Sequence, residues 1–326
     1  MSANFLAVIM YHYVRDIKRS KFPRIKGLEK SLFAEQLKYF SKNYNFVSVE
    51  DVIDSIYNHK KLPPRPLLLT FDDGYIDHYE NVFELLLKMK IPGAFYIPSQ
   101  VIYDRAMLDV NKIHFILASS NDDKKLVEDI FYNIDRLRSI YSLDSNITYF
   151  DRYKELGYRL DTQEVRFIKK ILQVGLPPEA RREILSILFE QYLDCDEFSF
   201  GDDLYVNLNQ AKEMYANRMH IGSHGSNHLW LNSLSYAQQL IEIQNSMLLL
   251  KDICSDPNYY SICYPYGAFN DDTVSLAREM NFKIGLTTKA EIALATEHEA
   301  LKMSRLDTND LPKDSNAIDD IWMQRM

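Results

Sequence analysis

At 326 residues, 46% of them hydrophobic and 26% charged, the chain has ordinary globular composition and can bury one large core, or a core and a subdomain. Its formal net charge of −8, with no strongly basic block, argues against a protein that tracks nucleic-acid phosphates, and "KKLPPRP" reads as a solvated loop. Three cysteines, Cys195, Cys254 and Cys263, are odd in number and lack a CxxC spacing, which argues against a disulfide framework or a cysteine zinc site and favours a reducing compartment.

In chain order, "FLAVIMYHY" reads as a first strand. The run "FLAVIM" is too short for a signal-peptide core and has no basic region before it. No stretch approaches the roughly 18 apolar residues of a membrane span, so a cytoplasmic location is expected. "EKSLFAEQLKYFSKNY" has helical periodicity, with Leu32, Phe33, Leu37 and Phe40 on one side, and "FVSVEDVIDSIY" follows. Leu67 to Phe71 form a short apolar run bounded by Gly74, as in a strand covered on both faces; a helix "YENVFELLLKMK" and a strand "GAFYIPS" come next. This repeated order indicates parallel strands with crossover helices.

Residues 103–200 interrupt the pattern with helical periodicity in "DVNKIHFILAS", "KLVEDIFYNIDRLRSIY", "QEVRFIKKIL" and "PEARREILSILFEQYL". A helical insertion is expected there, between two parts of one domain at 1–102 and 201–326, with His114 on an apolar face as a core histidine. Alternation resumes with the helix "LNQAKEMYAN", the strand "MHIGSH", the long helix "SYAQQLIEIQNSMLLLKDIC" and the strand "YYSICYPYG". A capped helix "NDDTVSLAREM", strands "FKIGLTT" and "ALKMSRLD", and a short closing helix in "NAIDDIWMQRM" complete the chain.

Three stretches carry chemistry. Asp72 and Asp73 fall at the C-terminal end of a strand, where α/β folds mount active-site groups, although either could simply cap a helix starting near Ile76. His224 and His228, also just past a strand, would complete with one carboxylate the first shell of a zinc-type ion that keeps a position for water. In "YPYG", Pro265 fixes the backbone and Gly267 permits a reversal, which could be purely structural.

"TFDDG", "SHGSNH" and "YPYG", each preceded by a strand, resemble the first three motifs of the polysaccharide deacetylase family, the NodB-homology domains of carbohydrate esterase family 4. "MYHYV", "IPGAFYIPS" and "LKMSRLDTNDL" are similar to a bacterial branch that includes proteins of cell-surface polysaccharide gene clusters. The resemblance spans residues 5–100 and 205–312. It implies an α/β fold, a distorted (β/α) barrel of about seven strands instead of eight. It also implies metal-dependent removal of an N-acetyl group from an amino sugar of a surface polysaccharide, or of its nucleotide- or lipid-linked precursor. By position, Asp72 matches the general base, Asp73, His224 and His228 the ligands of one divalent ion (zinc, with cobalt or nickel as alternatives), and the Tyr266 backbone N–H an oxyanion donor. Pro265 and Arg305 are expected against substrate.

The chain also departs from that pattern. Gly225 stands where many members carry Ser or Thr, with Ser223 or Ser226 as substitutes, and Cys263 stands where many carry an arginine that orients the base; Arg305 could reach the site instead. Met303 occupies the place of the usual acid histidine, which leaves His12 as a candidate and His298 as a weaker one. The alternatives are a catalytically impaired glycan-binding module, or a hydrolase of a non-sugar amide or formamide.

Overall fold

The structure is a computed structural model that describes residues 5–156, 161–318, 320–322 and 324. By its internal contacts the chain divides into two compact units, one of residues 1–16, 27–105 and 204–326, the other of 17–26 and 106–203.

The first unit is built on a parallel sheet. Its strands are β1 (Phe5–Tyr11), β2 (Pro66–Asp72), β3 (Ala94–Ile97), β4 (His220–Ser223), β5 (Ser261–Cys263), β6 (Ile284–Leu286) and β7 (Leu306–Asp307). β1 to β6 lie side by side in chain order, Asn45–Phe46 pairs in parallel with the start of β2, and the outer edge of β1 pairs antiparallel with Ala293–Leu294 at Phe5 and Leu6 and in parallel with β7 at Ile9 and Met10. Just before β7, the Met303 N–H donates to Gly285 O (2.8 Å) and the Thr287 N–H to Met303 O (2.9 Å). The 303–307 segment therefore hydrogen-bonds β6 at one end and β1 at the other, which closes the sheet into a distorted barrel.

Alternation sorts the side chains. All seven residues of β2 are buried, as a parallel strand covered on both faces requires. Leu6 and Val8, Leu68, Ala94 and Tyr96, Cys263, and Ile284 and Leu286 come from successive strands into one core cluster with Met303. Val49, Val52, Ile53 and Ile56 of helix Val49–Tyr57, opened by a capping box on Ser48, join that cluster. This helix lies near the N-terminal ends of the strands: Val47 N–H bonds Leu67 O, and Glu50 reaches His220, the first residue of β4. The C-terminal ends are left for chemistry.

The second unit contains helices Asp109–Ser119, Asp123–Leu137, Asn146–Tyr153, Gln163–Lys170 and Pro178–Leu193. Ile113, Ile116, Ile130, Ile134, Ile168, Ile184 and Leu188 are fully buried. The 17–26 segment belongs here because Phe22 packs edge-on against Phe115 and Phe200, with centroids 4.9 and 5.7 Å apart. His114 is half-buried.

Three expectations need correction. Phe33, Leu37 and Phe40 of helix Lys30–Asn43 are buried, but Leu32 is 40% exposed, because its position on the helix turns it away from their stripe. "ALKMSRLD" is no continuous strand: a tight turn at Ala300–Lys302 and a single bridge at Met303 precede the two-residue β7. Of the expected closing helix, residues 316–318 and 320–322 form turns and irregular backbone and Gln324 is helical, the rest lying outside the described residues; Asp320 ties this tail down by accepting from the Tyr39 and Tyr44 hydroxyls, each at 2.7 Å.

Candidate metal centre

Asp72 is the last residue of β2, and Asp73 and Gly74 then take left-handed φ values of 75° and 69°. A side chain at position 74 would be doubly penalised, since a Cβ there would come within 2.8 Å of Ile97 Cγ2. Two left-handed residues in succession turn the chain sharply over the barrel rim. Both carboxylates are buried at 2% exposure, a costly placement unless each is paired.

Their partners differ. Arg305 grips Asp72 with both ends of its guanidinium, Nη1 to Oδ1 at 2.9 Å and Nη2 to Oδ2 at 2.8 Å, while the Cys263 thiol donates to Oδ2 at 3.5 Å. Burial pushes the Asp72 carboxyl up, but Arg305 and His224 outweigh it and hold the group at about 2, so it is ionised at neutral pH. Asp73 Oδ2 accepts from the Tyr75 hydroxyl. Its other oxygen, Oδ1, accepts no hydrogen bond among the described residues and lies 3.3 Å from His224 Nε2 and 3.2 Å from His228 Nε2.

Both histidines sit on a built loop. After Ser223 ends β4, Gly225 and His228 adopt left-handed φ values of 69° and 53°. Glu242, buried in helix Tyr236–Ile253, accepts the Ser226 N–H at 3.0 Å, the Asn227 side-chain amide at 2.7 Å and the Asn227 N–H. Ser223 Oγ accepts the Gly225 N–H at 3.2 Å, and Ser226 Oγ accepts from Ser99 at 3.0 Å, so both hydroxyls flanking Gly225 do bind the loop or its support. His224 Nδ1 donates to Cys263 O at 2.7 Å, so that in the neutral imidazole the Nε2 lone pair faces Asp73.

Asp73, His224 and His228 thus bring ligand atoms within 4.8 Å of one another. Two imidazole nitrogens and a carboxylate oxygen without a hydrogen-bond donor are a donor set that fits a divalent transition-type ion. A second grouping, Asp72 with His224 and Cys263, meets the same distance. It fits less well, because Arg305 already engages both Asp72 oxygens.

The other expected residues fall as follows. Arg305 is 1% exposed and also donates to Thr287 O (2.8 Å) and Thr70 Oγ1 (3.2 Å), so its contacts are with Asp72 and the barrel, as expected of a substitute for the missing arginine. Pro265 is buried within its turn. Tyr266 is left-handed (φ 58°), its ring 4.6 Å from that of His228 and stacked on Trp230 at 4.4 Å and 12°. His12 follows β1 on the same rim, half-buried, its carbonyl accepting from His78 Nε2 at 2.9 Å. His298 is 84% exposed and pairs with Glu299, apart from the cluster. Met303 is core. Sequence reasoning missed Glu242, Tyr75 and the rings of Tyr266 and Trp230. A buried acid on the apolar face of a long helix was the one available signal for Glu242.

Among known proteins, residues 175–285 match the family model described as polysaccharide deacetylase. That stretch, about a third of the chain, is therefore similar to the polysaccharide deacetylase family. Over 91 residues it is 32% identical to YxkH of Bacillus subtilis, covering 28% of this chain and 32% of that protein. Over 92 residues it is 30% identical to the poly-beta-1,6-N-acetyl-D-glucosamine N-deacetylase of Escherichia coli, covering 28% and 13%. The matches thus span a third or less of these relatives. In fold, the chain is similar to the Streptococcus pyogenes deacetylase PplD (TM-score 0.59, 19% identity, 94% of this chain and 93% of that one). It is also similar to IcaB from Ammonifex degensii (TM-score 0.53, 16% identity, 94% and 92%).

Proposed function

We propose that the chain is a metal-dependent N-deacetylase of an N-acetylated amino sugar in a surface polysaccharide or its nucleotide- or lipid-linked precursor. The observation that carries this is the Asp73 Oδ1 atom, buried without a donor and facing two imidazole nitrogens at 3.2 and 3.3 Å, beside an Asp72 held ionised by Arg305.

Asp73, His224 and His228 would hold the ion. When bound, a divalent ion there supplies Lewis-acid polarisation of the acetyl carbonyl and acidifies a water molecule. That acidification matters here, since a carboxylate with a pKa of about 2 is a weak base toward ordinary water. Asp72 takes the proton of the attacking water on a lone pair that Arg305 leaves free, and the oxygen adds to the acetyl carbon. The Tyr266 N–H, in the left-handed turn next to His228, is assigned to the developing oxyanion. Asp72 then returns the proton to the departing nitrogen, the C–N bond breaks, and acetate and a free amine leave. In this scheme one carboxylate serves as base and acid, so the absence of a histidine at position 303 does not halt the reaction.

The test is acetate release from N-acetylated sugars, nucleotide sugars and lipid-linked sugars with zinc, cobalt or nickel. Release that needs a metal and is lost with His224→Ala is expected; a protein that binds no ion and releases no acetate from any of them sinks the proposal.

A further inference from the structure

An ion's affinity depends on what holds its ligands as much as on the ligands themselves. Of the two Asp73 oxygens, Oδ1 faces the histidines and Oδ2 receives the Tyr75 hydroxyl, two residues along the chain. Tyr75 is fully buried, and its backbone is pinned by an antiparallel bridge to Tyr205 and by the Val206 N–H donating to Gly74 O at 2.9 Å. Its ring is stacked on Tyr13 (centroids 4.0 Å apart, 22°) and runs nearly parallel to Tyr205 (6.2 Å, 13°).

We propose that Tyr75 is a positioning residue for the ion: its O–H fixes Asp73 with Oδ2 turned away and Oδ1 presented to His224 and His228, and the Tyr13–Tyr75–Tyr205 stack holds that O–H in place. This role rests on reading the cluster as an ion site. Without the hydroxyl, the left-handed Asp73 is free to swing or to offer the histidines either oxygen, and the site loses its preorganisation.

Tyr75→Phe keeps the ring and the stack and deletes only the donor. Zinc affinity, measured by competition with a chromophoric chelator, should fall about 10- to 100-fold, and the cobalt-loaded variant should show a shifted visible spectrum. Tyr205→Phe, which removes a hydroxyl from the same stack, should leave both readouts unchanged. Should Tyr75→Phe fail to fold, Tyr13→Leu removes the support while retaining the hydroxyl, and a smaller weakening in the same direction is expected. Wild-type protein that binds zinc, with a folded Tyr75→Phe or Tyr13→Leu that binds it equally well, overturns the role of Tyr75 alone. A wild type that binds no zinc or cobalt overturns the ion site and this role together.

Discussion

Two histidine–carboxylate clusters lie at opposite ends of β4, one with both partners buried and one whose carboxylate, Glu50, is partly exposed. At its first residue, His220 is saturated: Nδ1 meets Glu50 Oε1 at 2.8 Å, Nε2 meets Ser261 Oγ at 2.7 Å, and that hydroxyl continues to the Tyr96 hydroxyl at 3.1 Å. Just past its last residue, His224 uses Nδ1 on Cys263 O and turns Nε2 toward an Asp73 oxygen that no donor reaches. The residue types are alike, and the accounting differs. A network whose atoms are all engaged rigidifies a core, whereas buried lone pairs facing one another are unfavourable without a cation between them. Gly222, midway between the two, admits the Tyr96 ring, since a Cβ there would lie 2.3 Å from Tyr96 Cε1.

The largest expected effect breaks the comparison at the rim. Asp72→Asn keeps the three ligands and removes the proton acceptor, so acetate release should drop about 10³-fold or more while bound zinc stays near the wild-type level. An active Asp72→Asn enzyme would remove Asp72 from the mechanism. Next in size is Arg305→Met. It strands a buried carboxylate, and urea unfolding at neutral pH should show a loss of about 3–5 kcal/mol. The same substitution removes the main force depressing the Asp72 pKa, so the added instability should shrink as the pH falls and Asp72 becomes neutral. A destabilisation that does not change with pH would mean that Arg305 matters through its packing.

The strand-then-motif order made the rim legible from sequence. A continuous apolar run ending in paired aspartates, and a short strand ending in His-x3-His, each mark a strand's C-terminal end, and a parallel barrel brings all such ends together. What stayed hidden depends on tertiary approach. The sequence offers Arg305 as a substitute for the missing arginine, but it lies 233 residues from Asp72, and nothing in "KMSRLD" distinguishes a guanidinium facing inward from one on the surface. The same holds for Glu242, whose helix looked merely amphipathic, and for the 300–307 segment, where closure of the barrel imposed a turn and a bridge on residues with strand-like alternation.

The smallest expected effect tests the saturated cluster. Burial pushes the Glu50 carboxyl up, but His220, by charge and hydrogen bond, holds it at about 2, below its ordinary 4.5. With the pKa depressed in the fold, the unfolded chain binds more protons between those values. Stability from Glu50 is therefore fully present above pH 4.5 and lost as the pH falls toward 2. Because the Glu50 side chain is 41% exposed, solvent screening limits this contribution to about 1 kcal/mol or less. Urea midpoints of wild type and Glu50→Gln should accordingly differ by that small amount at neutral pH and converge under acid. Zinc affinity should not change, because His220 has no lone pair to offer the rim. A Glu50→Gln variant with weakened zinc binding would mean that the two clusters are coupled along β4, and that the lower one helps set the geometry of the upper.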